Sequence, residues 1–119
     1  MIEMVRKGEA IVACPESLGG LPMPRLPSEL TQDGAAVLLG NGKVMAKDGQ
    51  DVTAEFLKGA YETLRICRMY GVERAILKAN SPSCGCGTIY DGSFSGKKKV
   101  GDGVTSALLK VNGIPVEAR

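Results

Sequence analysis

Two short and mostly apolar runs, Ala10–Cys14 and Arg74–Ala79, stand out along the chain. Runs of this length and composition are typical of strands that are buried on both faces of a parallel sheet. Pro15 ends the first run, and a loop rich in serine and glycine follows the second. We therefore predict that Cys14 and the loop after Ala79 lie at the carboxyl ends of two parallel strands, where α/β sheets bind their ligands.

A longer segment before Gly71 has apolar residues at the helical period. Asp51 or Thr53 is placed to cap this predicted helix, which has Glu55 in its first turn. The apolar stripe of the helix consists of Phe56, Ala60, Leu64 and Cys67. Because cysteine is among the residue types most often found in protein cores, the cysteine of this stripe is predicted to be structural.

Residues at the two ends of the chain predict further elements. Met1–Lys7 is predicted to be the end of a helix that is closed by Gly8. A second complete helix is predicted to begin at Asp102–Gly103, and a last strand, Ile114–Val116, follows it. Because Pro115 has no amide hydrogen to donate, we expect this strand at an edge of the sheet.

Glycine and proline mark three connecting segments. Residues that tolerate a positive φ at Gly40–Gly42 predict a hairpin between Ala35–Leu39 and Lys43–Ala46. The segment Pro15–Leu30 contains several prolines and is predicted to be an ordered loop, which at this length is usually functional. Thr88–Gly96 is predicted to be a turn or short hairpin that folds back over the cysteine-containing loop.

The order of these elements predicts the fold class. Strands that alternate with helices are typical of an α/β protein. We expect one domain, residues 1–119, built as a three-layer, Rossmann-like sandwich with a mostly parallel sheet and a small hairpin. A chain of 119 residues is long enough to bury a core of this kind.

Composition and charge exclude some classes of function. The net charge is +2, and the only basic run is Lys97–Lys99, so nucleic acid is not expected as the main partner. No segment reaches the roughly 18 apolar residues that span a bilayer, which predicts a cytoplasmic protein without a membrane partner. The chain has no histidine, so His-based acid–base chemistry and zinc sites with a histidine ligand are excluded.

Candidate chemistry is concentrated in the loop Asn80–Gly87, which contains two thiols and two hydroxyls. If the two predicted strands are close in the sheet, Cys14 lies near Cys84. Thiolates are soft ligands that select zinc, copper(I) or iron–sulfur clusters, and Cys86 is a possible third ligand. Glu16, two residues after Cys14, is placed to exchange a proton with a molecule bound at these thiols.

Four blocks of the sequence together resemble the thiouracil desulfurase family. The most specific are the Cys-Pro-Glu block at Cys14 and the Ser-Pro-Ser-Cys-Gly block at Ser81. The resemblance extends over nearly the whole chain in the same order. The four blocks are Cys14–Arg25, Asp51–Ala60, Leu77–Gly85 and Ile89–Thr105.

This resemblance implies a [4Fe–4S] cluster held by three cysteines, with one iron open to the sulfur of a thiolated pyrimidine such as 2-thiouracil. The implied reaction is hydrolytic replacement of C=S by C=O in a small-molecule substrate. Carried over to this sequence, Cys14 and Cys84 are cluster ligands and Glu16 and Ser81 are catalytic. The substrate-binding residues are expected in the same loop, at Ser83 and Gly85.

One departure from the family pattern concerns the third ligand. Family members begin with a strand that carries a Cys-Leu-Leu-Gly segment, and this sequence starts after it. The chain is therefore expected to be either a fragment or a protein that has lost that ligand and its activity, unless Cys86 takes its place. The alternative function is a cluster-free domain in which Ser81, Ser83, the amides of Gly85–Gly87 or the helix start at Gly103 bind an anion or a nucleotide-like molecule.

Overall fold

The computed structural model of the protein describes residues 2–6, 9–13, 18–20, 27–77 and 82–118. They form a mixed α/β fold with a parallel strand pair and antiparallel pairs. The strands are β1 (Ile2–Arg6), β2 (Glu9–Ala13), β3 (Ser28–Leu30), β4 (Val44–Ala46), β5 (Arg74–Leu77), β6 (Thr88–Tyr90), β7 (Lys98–Val100) and β8 (Val116–Ala118). The helices are α1 (Gly34–Leu38), α2 (Thr53–Tyr70) and α3 (Val104–Val111).

The largest sheet has four strands in the order β2-β1-β5-β8. β1 pairs antiparallel with β2 and with β5, whereas β5 and β8 are parallel. Three strands therefore run in one direction and β1 runs against them. The expectation of a mostly parallel sheet holds for strand direction, but only one of the three pairings is parallel. The three-layer, Rossmann-like arrangement stays a prediction.

Two interpretations of the N-terminal segment were wrong. Residues Ile2–Arg6 form a strand rather than a helix end, because they pair with β2 on one side and with β5 on the other. Ala10–Cys14 was expected to be a central strand, but β2 is an edge strand of the described sheet. β1 occupies the position between β2 and β5. Gly8 lies outside the described residues.

The predicted hairpin around Gly40–Gly42 was also wrong. Its first half is the helix α1, because the Asp33 side chain accepts a hydrogen bond from the Ala36 amide (2.9 Å) and caps the helix start. β4 pairs instead with β3, the end of the long proline-containing segment. The last part of that segment is thus regular structure, and residues 21–26 lie outside the described residues.

The predicted helices before Gly71 and after Gly103 are confirmed as α2 and α3, but the cap residue of α2 is Val52 rather than Asp51 or Thr53. α2 ends at Gly71, which has the left-handed φ of 62° that glycine tolerates best. At its start, Asp51 accepts hydrogen bonds from the Thr53 amide (3.0 Å) and hydroxyl (2.5 Å), and these bonds lower the pKa of the Asp51 carboxyl. β6 and β7 form a short hairpin as predicted, and its tip bonds to Glu29 of β3. The last strand was predicted at Ile114–Val116, but β8 is Val116–Ala118, at an edge of the described sheet.

One hydrophobic core connects the helices with the sheets. α2 and α3 pack against each other, and α1 packs against α3. Fully buried residues come from every part of this core, including Leu30, Val37, Val44, Leu77, Ile89, Val104 and Leu109. In the described part of the chain, no helix is long and apolar enough to cross a membrane.

Candidate functional site

The ends of β2 and β5 lie at the same level of the four-stranded sheet. Ala13 and Leu77 both pair with Ile2, one on each side of β1. β2 and β5 are therefore parallel next neighbours whose carboxyl ends share one edge of the sheet. Cys14 directly follows Ala13 in sequence, so the chain enters its first cysteine-containing segment at this edge. This confirms the predicted strand arrangement at the level of the backbone.

Three of the predicted site residues, Cys14, Glu16 and Ser81, lie outside the described residues. Ser83 and Cys84 are described and are buried, with about 1% of each residue exposed. Gly85 is buried as well, and Cys84 belongs to the hydrophobic core. The site cysteine is thus held inside the protein after β5 and not on a surface turn.

Main-chain carbonyls of the cysteine loop cap the start of α3. The Val104 amide donates to the Pro82 carbonyl (2.8 Å), and the Thr105 amide donates to the Ser83 carbonyl (2.8 Å). The first amides of a helix have no partner within the helix, and Gly103 at the cap position has no side chain to supply one. The loop provides these acceptors, so the cysteine loop and α3 fix each other.

Two buried hydroxyl groups of α3 add side-chain contacts to the same loop. The Thr105 and Ser83 hydroxyls share a hydrogen bond of 2.7 Å, and the Ser106 hydroxyl donates to the Cys84 carbonyl at 2.9 Å. Thr105 and Ser106 are both fully buried. Sequence reasoning missed them, although two hydroxyl residues in the first turn of an otherwise apolar helix were a usable signal, since buried polar groups need partners.

The start of α3 also approaches the loop more closely than a side chain would allow. A Cβ atom on Gly103 would lie 2.4 Å from the Ser83 carbonyl oxygen and 2.8 Å from the Cys84 amide nitrogen. A Cβ atom on Gly34 would lie 2.2 Å from the Gly103 carbonyl oxygen. The starts of α1 and α3 and the cysteine loop are therefore stacked backbone against backbone.

Cys86 is half-buried and has different surroundings from Cys84. Its Sγ atom lies 3.7 Å from the Val116 carbonyl oxygen at the start of β8. Lys110 Nζ lies 3.1 Å from both Asp102 carboxylate oxygens. Burial alone would lower the pKa of Lys110, but hydrogen bonds to Asp102 and Cys86 outweigh it, so this pKa is raised. The Cys86 thiol therefore contacts a main-chain carbonyl of β8.

The hairpin β6–β7 is attached to the rest of the protein at both ends. At its base, the Gly101 amide donates to the Gly87 carbonyl (3.1 Å). At its tip, the buried Glu29 carboxylate accepts from the amides of Gly92 (3.0 Å) and Phe94 (3.2 Å). These bonds hold Phe94 at a φ of 57°. The tip is thus bonded to β3, the strand that contains Glu29.

Comparison with known proteins places this arrangement in a family. Residues 1–119 match the sequence pattern of the 2-thiouracil desulfurases. The chain belongs to the 2-thiouracil desulfurase family. The resemblance of the Cys14 and Ser81 blocks to this family is thereby confirmed over the whole sequence.

Two relatives are similar to this chain in sequence or structure. The solved structure of the [4Fe–4S]-dependent thiouracil desulfidase TudS matches with a TM-score of 0.78 at 45% sequence identity. The match covers 89% of this chain and 64% of that enzyme, so the chain spans less than two thirds of the length of its solved relative. The uncharacterised protein YbbK of Bacillus subtilis (strain 168) is 47% identical over 115 residues, which cover 96% of this chain and 76% of YbbK.

Within this desulfurase fold, the alternative anion site at the start of α3 is already filled by the protein. Its first amides bind the carbonyls of Pro82 and Ser83, and the Gly103 amide donates to the Gly85 carbonyl (2.7 Å). The Gly87 amide donates to Asp102 (2.8 Å), a carboxylate that would repel an incoming anion. These contacts occupy the amides of Gly87 and Gly103 and the first amides of α3, whereas Ser81 of the same alternative lies outside the described residues.

Cys67 has the structural role that was predicted for it. It lies on α2 with only 2% of the residue exposed and belongs to the hydrophobic core. Burial raises the pKa of the Cys67 thiol to about 11, so the group stays protonated at neutral pH. A protonated core thiol is a poor metal ligand, because metals bind the thiolate.

Proposed function

We propose that this protein binds a [4Fe–4S] cluster and uses it to desulfurate a small thiolated heterocycle such as 2-thiouracil. One observation carries the proposal. Ala13 and Leu77, the last residues of β2 and β5, are aligned across the sheet, and a cysteine-containing segment follows each of them. Membership of the 2-thiouracil desulfurase family and the structural likeness to TudS support the same activity.

The chemistry of the donor set fits such a cluster. Iron–sulfur clusters are held by cysteine thiolates, and this chain offers cysteines without histidine. Cys84 lies on a loop that is hydrogen-bonded to the start of α3, and Cys14 directly follows Ala13, the last residue of β2. Among the described residues, no three Cys, His, Asp or Glu side chains come together as a metal site, so Cys14 is essential to the proposal.

The proposed ligands are Cys14 and Cys84, and the proposed catalytic residues are Glu16 and Ser81. A cluster with one iron not bound by the protein supplies a Lewis acid for the soft sulfur of the substrate. Glu16 transfers protons as one water replaces the sulfur, so that C=S and H₂O become C=O and H₂S. Ser81 orients the heterocycle through its hydroxyl, which is a harder donor than a thiolate and a poorer iron ligand.

Ser83 and Gly85 were predicted to bind substrate, and this role stays a prediction. In the structure, the Ser83 hydroxyl is bonded to Thr105 and the Gly85 carbonyl accepts a hydrogen bond from Gly103. Both residues therefore hold the loop in place. A contact with substrate at either position has to be compatible with these bonds.

Within this sequence, the proposed candidate for a third ligand is Cys86. The Cys86 thiol lies 3.7 Å from the Val116 carbonyl oxygen, at the amino end of β8. β8 runs parallel to β5, so its amino end lies away from the edge at which β5 ends. This position does not favour Cys86 as the third ligand.

Anaerobic reconstitution with iron and sulfide tests the proposal. We expect about four iron and four sulfide per chain in the wild type, from the composition of the cluster. Cys14→Ala and Cys84→Ala should lose both, whereas Cys67→Ala, a change of the same size in the core, should keep them. A wild-type protein that folds but binds no iron, when purified with any residues that precede Met1, would overturn the proposal.

A further inference from the structure

We infer that Thr105 and Ser106 are positioning residues that hold the Cys84 thiol in place from the start of α3. The inference deepens the proposed function, on which its relevance for catalysis rests. Neither residue is a proposed ligand or a proposed catalytic group. Their hydroxyls act on Cys84 through the main chain and through the neighbouring residue Ser83.

The contacts of the two hydroxyls lie on both sides of the Cys84 Cα atom. Thr105 bonds the side chain of Ser83, the residue before it, and Ser106 donates to the Cys84 carbonyl, the group after it. The amides of the same two residues also reach the Ser83 carbonyl, at 2.8 and 3.3 Å. The orientation of the Cys84 Cα–Cβ bond is thus fixed from both sides by one helical turn.

Simple packing does not account for these hydroxyls. The other buried residues of α3 are apolar, and they include Val104, Ala107, Leu108 and Leu109. A valine or alanine at positions 105 and 106 would fill the same core without the cost of burying a polar group. Two fully buried hydroxyls that both form hydrogen bonds to the cysteine loop therefore indicate that they orient this loop.

A proposed ligand at this position needs such support. Groups around a metal ligand commonly orient it, and loss of that support weakens metal binding without removal of the ligand. Functional constellations require their groups to be held within about 0.5 Å of the working geometry. Cys84 lies seven residues after Leu77, the last residue of β5, so the strand alone does not fix the Cys84 thiol. The start of α3 provides the missing constraint.

Labelling of thiols in the reduced, metal-free protein tests the inference without any activity assay. The fraction of Cys84 alkylated by iodoacetamide is followed by mass spectrometry, with the buried Cys67 as the internal reference. The variants are Thr105→Val, which keeps the shape, and Thr105→Ser, which keeps the hydroxyl. Thr63→Val is the matched control, because Thr63 is also fully buried and its hydroxyl donates to the Gly59 carbonyl at 2.8 Å.

We expect Thr105→Val to raise the labelling rate of Cys84 relative to that of Cys67 by roughly 3- to 10-fold. This factor corresponds to the net contribution of one hydrogen bond to stability. Thr105→Ser should restore the wild-type ratio, and Thr63→Val should leave it unchanged. Ser106→Ala is the second variant, with the same expected direction, and it replaces Thr105→Val if that protein does not fold. An unchanged ratio in the folded Thr105 and Ser106 variants overturns the inference.

Cluster-loaded protein provides a second, separate measurement. Thr105→Val should shift the reduction potential of the bound cluster, and Thr105→Ser should restore it, whereas Thr63→Val should have no effect. If the wild type binds no cluster but Thr105→Val still exposes Cys84, the proposed function fails and the positioning role stands. If the cluster forms and neither labelling nor potential responds to Thr105→Val, the positioning role fails and the proposed function stands.

Discussion

Ala13 and Leu77 are aligned across the sheet, because both pair with Ile2, one from each side of β1. With about 4.8 Å between neighbouring strands, the two backbones are roughly 10 Å apart. The segments that follow them contain Cys14 and Cys84, the two proposed ligands. A cluster bound between these segments would join two parts of the chain that are 70 residues apart in sequence.

Glu16→Gln separates proton transfer from cluster binding. The amide keeps the size of the side chain but cannot exchange a proton at neutral pH, so we expect the cluster absorbance to remain. Desulfuration should slow by a factor on the order of 10²–10⁴, the usual contribution of a general acid–base group. Ser81→Ala should behave similarly in the same spectrophotometric assay. If Glu16→Gln turns over substrate at the wild-type rate, Glu16 has no part in the mechanism.

Gly103→Ala tests the close contact between α3 and the cysteine loop. The added Cβ would meet main-chain atoms of Ser83 and Cys84, which cannot give way as a flexible side chain can. We expect a loss of about 1–3 kcal/mol in the free energy of unfolding, as for other overpacked sites, measured by urea denaturation. Gly42→Ala is the control, because its Cβ would meet only side-chain atoms at 3.3 Å or more. Equal losses in both variants would contradict the backbone stacking.

Cys86→Ala tests whether the third ligand is in the printed sequence. Since the Cys86 thiol lies near the Val116 carbonyl and the Lys110 ammonium, we expect this variant to keep its iron and sulfide. The comparison is with Cys84→Ala, which should lose them. Loss of iron in Cys86→Ala, with the fold retained by circular dichroism, would instead identify Cys86 as the third ligand.

The Cys67 thiol predicts a dependence of stability on pH. Its pKa is about 11 in the folded protein and 9.0 as its ordinary value, so above pH 9 the unfolded chain loses this proton first. Stability should therefore fall as the pH rises from 9 to about 11, with a slope of at most about 1.4 kcal/mol per pH unit from this group. Urea denaturation gives the free energy of unfolding at each pH. Across this range, that free energy should fall more steeply with pH in the wild type than in Cys67→Ala, by up to that slope. Parallel curves would show that Cys67 ionises normally in the fold.

The sequence was sufficient to predict the strand β5 and the helix α2. A run such as Ala75–Leu77 has few alternatives to a buried strand, and the glycine at position 71 ends the preceding helix for a local steric reason. The prediction of the apolar stripe that contains Cys67 was correct, because the eighteen residues of α2 are enough to show the helical period. These features depend on neighbours in sequence, which is why they could be predicted.

One error overlooked a local signal, and the others concern residues whose partners are distant in sequence. Ala35–Leu39 is too short to show a helical period, and its cap at Asp33 was the signal that distinguished a helix from a strand. The strand at Ile2–Arg6 exists through its pairing with β2 and β5, and a seven-residue segment does not reveal that pairing. Thr105 and Ser106 were missed for the same reason, because their partners lie 22 residues away in the cysteine loop.

The most direct test of the central claim is the conversion of 2-thiouracil by the reconstituted protein in ¹⁸O-labelled water. We expect one sulfide and one uracil for each 2-thiouracil consumed, with the label at the position that carried sulfur. Cys14→Ala and Cys84→Ala should form no product, and Cys67→Ala should react as the wild type does. A cluster-loaded wild-type protein that forms no uracil, or forms uracil without the label, would contradict hydrolytic desulfuration.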